Sequence, residues 1–355
     1  IHKAVHRECK SVRKSLGILD ASTLGKIDLQ GPDTSKFLNM LYTNAWSKLE
    51  VGSCRYGLMC NEHGMIFDDG VTSRLGENHY HMTTTTGGAA RVMSWLEEFL
   101  QTEWLDMKVF CTSVTEQWAV LSISGPNARN FLADLTDIDL SKESFPFMKF
   151  REGKVCGVDA RVFRISFTGE LAFEINVPAR YGDYVWNEFM NHGKKYNITP
   201  YGTEAMHVLR AEKGFIIVGQ DTDGSVTPYD LNMDWIVSKK KEDFLGKRSF
   251  SRADTSRNDR KKLVGLLVND KTTVLPEGSH VVEKAKSQPP MKMLGHVSSS
   301  YYSPTNDHPI ALAMLKDGTS RMGDEVEIPL MNGKIIKATV TDPIFYDKEG
   351  LRNNE

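Results

Sequence analysis

The chain of 355 residues is 40% hydrophobic and 25% charged, with a formal net charge of −2. This is an ordinary globular composition, long enough for more than one core, and its near-neutral charge argues against nucleic acid or an anionic membrane as partner. Five scattered cysteines without a CxxC pair argue against a zinc knuckle and favour a reducing compartment. No apolar run of membrane-spanning length and no signal-peptide pattern is present, so we expect a cytoplasmic protein.

Helical spacing and strand alternation divide the chain into short elements. The predicted helices cover 3–17, 33–41, 88–101, 127–135, 181–192 and 202–214. The predicted strands of this part cover 25–30, 55–60, 65–75, 79–86, 108–112, 118–125, 161–165 and 171–177. Beyond a polar segment at 253–262, alternating runs with almost no helix predict a separate small β-barrel or sandwich.

One pattern occurs twice in the chain. Gly31-Pro32-Asp33 follows a predicted strand and opens a helix that carries Phe37-Leu38, and Gly125-Pro126-Asn127 does the same before Phe131-Leu132. Asp33 is the expected N-cap of the first helix. Two βα units of one type predict two related α+β lobes, although Gly-Pro before a helix is also common turn chemistry.

The predicted strand at 65–75 carries two adjacent carboxylates. Neighbours on a strand point to opposite faces, so Asp68 lies with Ile66 and Asp69 with Phe67. At least one carboxylate therefore shares a face with large apolar residues and needs a partner, because a buried unpaired charge costs roughly several kcal/mol. The structural alternatives are an arginine partner such as Arg55 or Arg74, or a bond from the backbone at the Gly70 bend to Asp69, and the functional alternative is a ligand.

Glu174 lies on a strand face with small or polar neighbours. Its carboxylate can accept two parallel N–H bonds from a planar fork, either an arginine or a heterocycle with an amino group beside a ring N–H. Arg210, in mid-helix, either anchors an anionic ligand tail or extends its charge to solvent over an apolar surface. His79 and His81 alternate on one strand face, but no third ligand lies nearby in sequence, so we predict no metal site.

Several motifs in order resemble a known family. They are Gly64-Met65-Ile66-Phe67-Asp68-Asp69, Ser166-Phe167-Thr168-Gly169-Glu170 with Phe173-Glu174-Ile175, Leu209-Arg210-Ala211-Glu212-Lys213-Gly214, Val218-Gly219-Gln220-Asp221-Thr222-Asp223, Thr227-Pro228 and Asp243-Phe244-Leu245-Gly246-Lys247. Together, over almost the whole chain, they resemble the aminomethyltransferase (glycine-cleavage T-protein) family. The resemblance is strongest to the carboxy-terminal folate domain of the sarcosine oxidase alpha subunit.

The resemblance implies an α+β fold, a three-domain cloverleaf around a tetrahydrofolate cofactor. Residues 1–50 and 147–254 would form a discontinuous folate-binding domain, and 51–146 a second α+β domain. Residues 255–355 would form a C-terminal β-barrel. The two βα units and the all-β end of the chain agree with this division.

The resemblance also implies roles for site residues. Asp68 matches the family's catalytic acid near the folate N10, with Asp69 as its structural neighbour, and Glu174 matches the acid that holds the pterin. Arg210 matches a base of the folate-binding region. Phe167 and Glu170, in the turn before the Glu174 strand, belong to the same cofactor-binding region. The family often has tyrosine where this chain has Phe167, so that hydroxyl is absent here.

The implied activity is tetrahydrofolate-dependent methylene transfer coupled to oxidation of sarcosine or a related N-methyl amine. In such relatives a flavin-containing subunit or domain makes an imine, and its capture by folate gives 5,10-methylenetetrahydrofolate. Two alternatives stay open. One is the glycine-cleavage reaction, in which the donor is an aminomethyl group on a lipoyl carrier protein, and the other is a folate-binding module without chemistry.

Overall fold

The computed structural model describes residues 2–354 and contains six α-helices and seventeen strands within them. The helices are α1 (His2–Lys14), α2 (Thr34–Leu41), α3 (Ala89–Thr102), α4 (Ala128–Ala133), α5 (Gly182–His192) and α6 (Thr203–Glu212). The strands are β1 (Gly17–Asp20), β2 (Gly25–Gln30), β3 (Cys54–Cys60), β4 (Ile66–Gly76), β5 (His79–Thr84), β6 (Phe110–Ser113), β7 (Trp118–Ser124), β8 (Phe150–Val155), β9 (Val158–Phe163), β10 (Ala172–Pro178), β11 (Thr199–Pro200), β12 (Lys261–Val268), β13 (His280–Val282), β14 (Met293–Ser303), β15 (His308–Lys316), β16 (Glu325–Pro329) and β17 (Ile335–Thr341).

The strands form two open sheets and one closed barrel. Sheet A has the order β11-β1-β7-β10-β9-β8, sheet B has the order β3-β4-β5-β2-β6, and the barrel closes as β12-β15-β14-β13-β16-β17. The six predicted helices correspond to α1–α6. The predicted α+β class with a C-terminal β-barrel is therefore confirmed, and the alternative of a C-terminal sandwich is wrong.

The two sheets exchange segments of the chain. Strand β2, from the first fifty residues, pairs with β5 and β6 in sheet B. Strand β7, from the middle of the chain, lies between β1 and β10 in sheet A. Sheet membership thus divides the chain differently from the predicted domain bounds, which stay a prediction.

The repeated Gly-Pro turn ends one strand in each sheet. Gly31 follows β2 with φ +134° and Gly125 follows β7 with φ +136°. A Cβ at Gly31 would lie 2.1 Å from the carbonyl oxygen of Lys108, and one at Gly125 would lie 2.4 Å from that of Ser15. The Phe-Leu pairs of α2 and α4 are fully buried. The two βα units therefore share a backbone turn as well as a sequence pattern.

Asp33 occupies the N-cap position of α2, as predicted, but its carboxylate does not bind the helix. Its side chain makes no capping bond, and its carboxylate instead accepts the backbone N–H of Lys108 at 2.8 Å. The cause is the close approach of the Lys108 backbone to the Gly31 turn, which offers Asp33 a long-range donor.

Replacing Gly31 by alanine is expected to lower the free energy of unfolding by about 3 kcal/mol or more, because backbone atoms that cannot move aside meet the new Cβ. Gly157→Ala is the matched control, since Gly157 also has positive φ (+78°) but its Cβ would meet nothing within 4 Å. That control is expected to cost about 1–2 kcal/mol, the penalty of the left-handed conformation alone. Urea denaturation of both variants measures the difference, and equal losses would contradict the steric argument.

Sheets A and B face one another across a small apolar cluster. Cys54 of β3 packs there with Phe150 and Phe163 of sheet A. Each sheet also has its own core against its helices, and the barrel has a third. Within residues 2–354 no helix combines the length and the apolarity needed to cross a bilayer. A large cavity opens where the sheets approach the barrel.

Candidate functional site

The cavity between sheet A, sheet B and the barrel has a volume of about 2160 Å³. Its wall includes β4 and β10, the segment at 213–219, the segment at 231–236, and Leu263, Thr319 and Met322 of the barrel region. Small-molecule pockets are typically about 300–1,000 Å³. This one has room for a large ligand and a second reactant together.

Strand β4 forms part of the cavity wall. Phe67, Asp69 and Val71 line the cavity at every second position, and Ile66 and Gly70 also reach it. Asp68 is fully buried on the opposite side, where its carboxylate accepts the hydroxyl of Thr85 at 2.7 Å and the backbone N–H of Thr85 at 3.2 Å. The two carboxylates point to opposite sides as predicted, but Asp69 lines the cavity and Asp68, predicted to face the ligand, does not.

Asp69 is thus the β4 acid that faces the cavity. The phenol of Tyr56 donates to its Oδ2 at 2.6 Å. Burial raises the pKa of Asp69 to about 7, opposed by the Tyr56 bond and reinforced by the nearby Asp68. A carboxyl group with such a pKa exchanges a proton readily at neutral pH, as general acid–base catalysis requires. The expected arginine partner is not present; the partner is a phenol.

Glu174 lines the cavity from β10, where Ser122 and Phe163 are its neighbours on the adjacent strands. Its carboxylate makes no hydrogen bond or ion pair with any residue in 2–354, so the predicted alternative of an arginine-paired glutamate does not hold there. Burial raises the pKa of Glu174 to about 7, opposed by the charge of Lys26. A carboxylate held in this way is a free acceptor for a ligand.

Phe167 also lies in the cavity wall, where it is 36% exposed. Its ring stacks on Phe215 with a centroid distance of 6.1 Å. The two rings give this part of the wall an apolar surface. Of the five residues predicted for the site, Glu174 and Phe167 reach the cavity.

Glu170 does not reach the cavity, so its predicted contact with a cofactor is corrected. It is fully buried. Its carboxylate accepts Arg13 of α1 at 3.2 Å, the phenol of Tyr346 at 2.7 Å and Arg352 at 3.1 Å. Glu170 thereby ties the turn before β10 to α1 and to the C-terminal segment, a structural role.

Arg210 does not line the cavity, where a tail anchor was predicted, and the alternative of a base that reaches solvent is wrong because the side chain is fully buried. It is fully buried and forms an ion pair with the carboxylate of Asp221 at 2.5 Å. It also donates to the Ser299 hydroxyl at 2.7 Å and the Phe215 carbonyl at 2.9 Å. Arg210 therefore joins α6 to a loop and to β14 of the barrel.

Replacing Arg210 by methionine is expected to lower the free energy of unfolding by about 3–5 kcal/mol, because it leaves the Asp221 charge buried and unpaired. Urea denaturation at pH 7 measures the change. Arg248→Met is the control, since Arg248 is 91% exposed and its ion pair with Asp243 is long, at 3.5 Å. That change is expected to cost less than about 1 kcal/mol. Equal effects would contradict a structural role for Arg210.

His79 and His81 share one carboxylate. Nε2 of His79 lies 2.9 Å from Asp28 and Nδ1 of His81 lies 2.7 Å from it. No group of three or more His, Cys, Asp or Glu side chains within the described range, 2–354, is arranged to hold a metal ion. These histidines belong to the packing between the sheets.

The sequence did not predict two residues of the cavity. They are Asp69, whose carboxylate lines the cavity, and Tyr56, which donates a hydrogen bond to it. The signal for Asp69 was its place beside Phe67 on one face of the strand, but the family resemblance led to its assignment as the structural neighbour of Asp68. Tyr56 becomes visible only with the register of the sheet, in which Leu58 lies opposite Asp69.

Comparison with known proteins gives a consistent result. Residues 1–241 match the family model of the GCVT N-terminal domain, and residues 261–347 match that of the glycine cleavage T-protein C-terminal barrel domain. The sarcosine oxidase subunit alpha of Corynebacterium sp. strain U-96 is 52% identical over 99% of this chain and 37% of its own length. The aminomethyltransferase of Thermotoga petrophila is 30% identical over 97% of this chain and 90% of its own.

The solved structures agree. The glycine cleavage system aminomethyltransferase T from Bartonella henselae matches with a TM-score of 0.84 and 25% identity, over 97% of this chain and 90% of that one. The chain spans little more than a third of the sarcosine oxidase alpha subunits that it matches. From the sequence motifs, the two α+β sheets, the closed barrel and these matches, we conclude that the chain belongs to the glycine cleavage T-protein family.

Proposed function

We propose that this chain binds tetrahydrofolate in the cavity and transfers a one-carbon unit to it. The observation that carries the proposal is the Glu174 carboxylate, which faces a large cavity and has no partner among residues 2–354. The family of the chain and the names of its relatives, sarcosine oxidase subunit alpha and aminomethyltransferase, support the same reaction class.

The residues present fit the cofactor. A pterin offers an amino group beside a ring N–H, which is a planar pair of donors, and Glu174 can accept both. Phe167 and Phe215 give the same cavity an apolar part of its wall, which suits the faces of a pterin ring. We therefore assign Glu174 to holding the pterin and Phe167 to the wall beside it.

Tetrahydrofolate supplies the amine nitrogens that accept the one-carbon unit. Asp69 supplies a carboxylate that takes up the proton an amine loses when it forms the new bond, and Tyr56 fixes its orientation. The cavity holds both reactants together, and such positioning accounts for much of the rate in reactions between two substrates. Asp68, buried against Thr85, supports the strand and does not touch the reactants.

For the donor, we propose an imine formed by oxidation of sarcosine or a related N-methyl amine in a flavin-containing subunit or domain. The 52% identity to a sarcosine oxidase alpha subunit favours it. The second candidate is an aminomethyl group on a lipoyl carrier protein. It is favoured by the match over 90% of the Thermotoga petrophila aminomethyltransferase.

Calorimetry with tetrahydrofolate is the first experiment, and absence of binding would contradict the proposed function. Product analysis then separates the donors. Formation of 5,10-methylenetetrahydrofolate from an N-methyl amine in the presence of a flavin-containing partner supports the first. Release of ammonia from an aminomethylated lipoyl carrier protein supports the second. Binding without product from either donor would indicate a folate-binding module.

A further inference from the structure

Lys26 is the most buried lysine that the structure describes, with 1% of its surface exposed. It lies on β2 of sheet B, and its ammonium group donates to the carbonyl oxygens of Ser22 and Leu24, each at 2.8 Å. No carboxylate among residues 2–354 forms an ion pair with it. A buried ammonium group without a paired carboxylate is costly and needs a reason.

Lys26 and Glu174 share a second, very small cavity between the two sheets. Its volume is about 10 Å³, and its polar lining includes His81 and Asn176. Such a space admits roughly one water molecule. The space that both residues line between the sheets is thus too small for bulk water, and an attraction between their charges across it is weakly screened.

Burial disfavours the charged form of three other titratable groups around Glu174, and the charges of Glu116 and Asp20 act on Lys26 alongside that of Glu174. Burial lowers the pKa of His81, whose Nδ1 lies against Asp28. Burial also raises the pKa of Cys54 and that of Tyr201 to about 12 each. Lys26 is thus the cation that acts on Glu174 from the elements packed around it in the described chain.

We propose that Lys26 is a positioning residue for Glu174. Its charge stabilises the Glu174 carboxylate from the small cavity between the sheets, while the carboxylate accepts the ligand in the large cavity. Sheet B would then take part in ligand binding by sheet A, through a charge that never touches the ligand. The ligand part of this proposal rests on the proposed function. The coupling of Lys26 to Glu174 stands on the small shared cavity and does not depend on it.

Replacing Lys26 by methionine tests the coupling, because it removes the charge and keeps the length of the side chain. Without the ammonium group the ionised carboxylate is less stable, so we expect the pKa of Glu174 to rise by about one unit. Carbon-13 NMR titration of the ligand-free protein measures it. Lys241→Met is the matched control, since Lys241 also donates to backbone carbonyls, those of Asn39 and Asn44, away from Glu174.

Tetrahydrofolate affinity gives the second measurement. A rise in that pKa from about 7 to about 8 lowers the ionised fraction of Glu174 at pH 7 from about one half to about one eleventh. Affinity at pH 7 is therefore expected to fall about fivefold and to recover by pH 9. In a Glu174→Gln background, Lys26→Met is expected to have no further effect on affinity. An equal loss in both backgrounds would overturn the proposal.

A reciprocal measurement keeps the proposal testable if Lys26→Met does not fold. Glu174→Gln removes the opposite partner, and we expect it to lower the pKa of Lys26, followed by nitrogen-15 NMR of the ammonium group. The proposal is wrong if the pKa of Glu174 changes no more in Lys26→Met than in Lys241→Met. It is also wrong if the pKa of Lys26 is unchanged in Glu174→Gln. If the wild type binds no tetrahydrofolate, the proposed function fails, while these two titrations still decide the coupling.

Discussion

Replacing Asp69 by asparagine is expected to slow one-carbon transfer by roughly 10²- to 10⁴-fold, the usual contribution of a general base. Asparagine is the same size and keeps an oxygen for the Tyr56 hydroxyl to donate to, so the cavity wall is preserved. Tetrahydrofolate affinity is therefore expected to change little. Single-turnover rates and calorimetry on the same preparation separate the two effects.

The adjacent carboxylate provides the control. Asp68→Asn keeps an oxygen to accept the Thr85 hydroxyl, and Asp68 does not line the cavity, so we expect a loss of less than about tenfold. If Asp68→Asn instead caused the larger loss of transfer with folate binding intact, the assignment of the two acids would be reversed.

The pH dependence follows from the raised pKa of Asp69. A base acts in its ionised form, and burial places the pKa of Asp69 at about 7. At saturating tetrahydrofolate, where the titration of Glu174 no longer limits binding, the transfer rate is therefore expected to fall as the pH drops through 7, because the Asp69 carboxylate becomes protonated. In Asp69→Asn the fall in rate on the acid side of the pH profile, its acid limb, should vanish. An unchanged limb in the variant would show that another group titrates.

Local patterns predicted the elements of this fold well. Strand alternation and helical spacing identified the six helices, and the Gly31 and Gly125 turns correctly indicated two βα units. Strands β1 and β11 were missed because, with four and two residues, they are too short to show a period. Their pairing with each other depends on residues almost 200 positions apart.

The site was less predictable because its orientation depends on such distant contacts. Alternation separates Asp68 from Asp69 but cannot say which side of β4 meets the cavity, since one side packs on Thr85 and the other on a space bounded by a different sheet. Glu170 is removed from the cavity by Arg13 and Arg352, at opposite ends of the chain. Glu174 was predictable because small and polar neighbours on its own strand already indicated an uncrowded face.

For Glu174 we expect that one substitution raises the free energy of unfolding and lowers the affinity for tetrahydrofolate. The pKa of Glu174 is about 7 in the folded protein and 4.5 in its usual state. Between pH 4.5 and pH 7, Glu174 is therefore protonated in the folded protein and ionised in the unfolded chain. Stability due to this group is therefore lost as the pH rises from 4.5 to 7, and the full penalty is present above 7. Glu174→Gln removes the charge, and at pH 8 it is expected to stabilise the ligand-free protein by about 1–3 kcal/mol.

The same substitution is expected to weaken tetrahydrofolate binding by roughly 30- to 1,000-fold, because an amide cannot accept two parallel donors and its own N–H groups face them. Glu152→Gln, an exposed site on β8 of the same sheet, is the matched control and should change neither property. Calorimetry at pH 8 and urea denaturation at pH 4 and pH 8 measure both effects. The stabilisation should be absent at pH 4, where Glu174 is protonated in the folded state. A variant that loses affinity and is also destabilised at pH 8 would show that Glu174 has a structural partner, and the carboxylate would then no longer be a free acceptor waiting for a ligand.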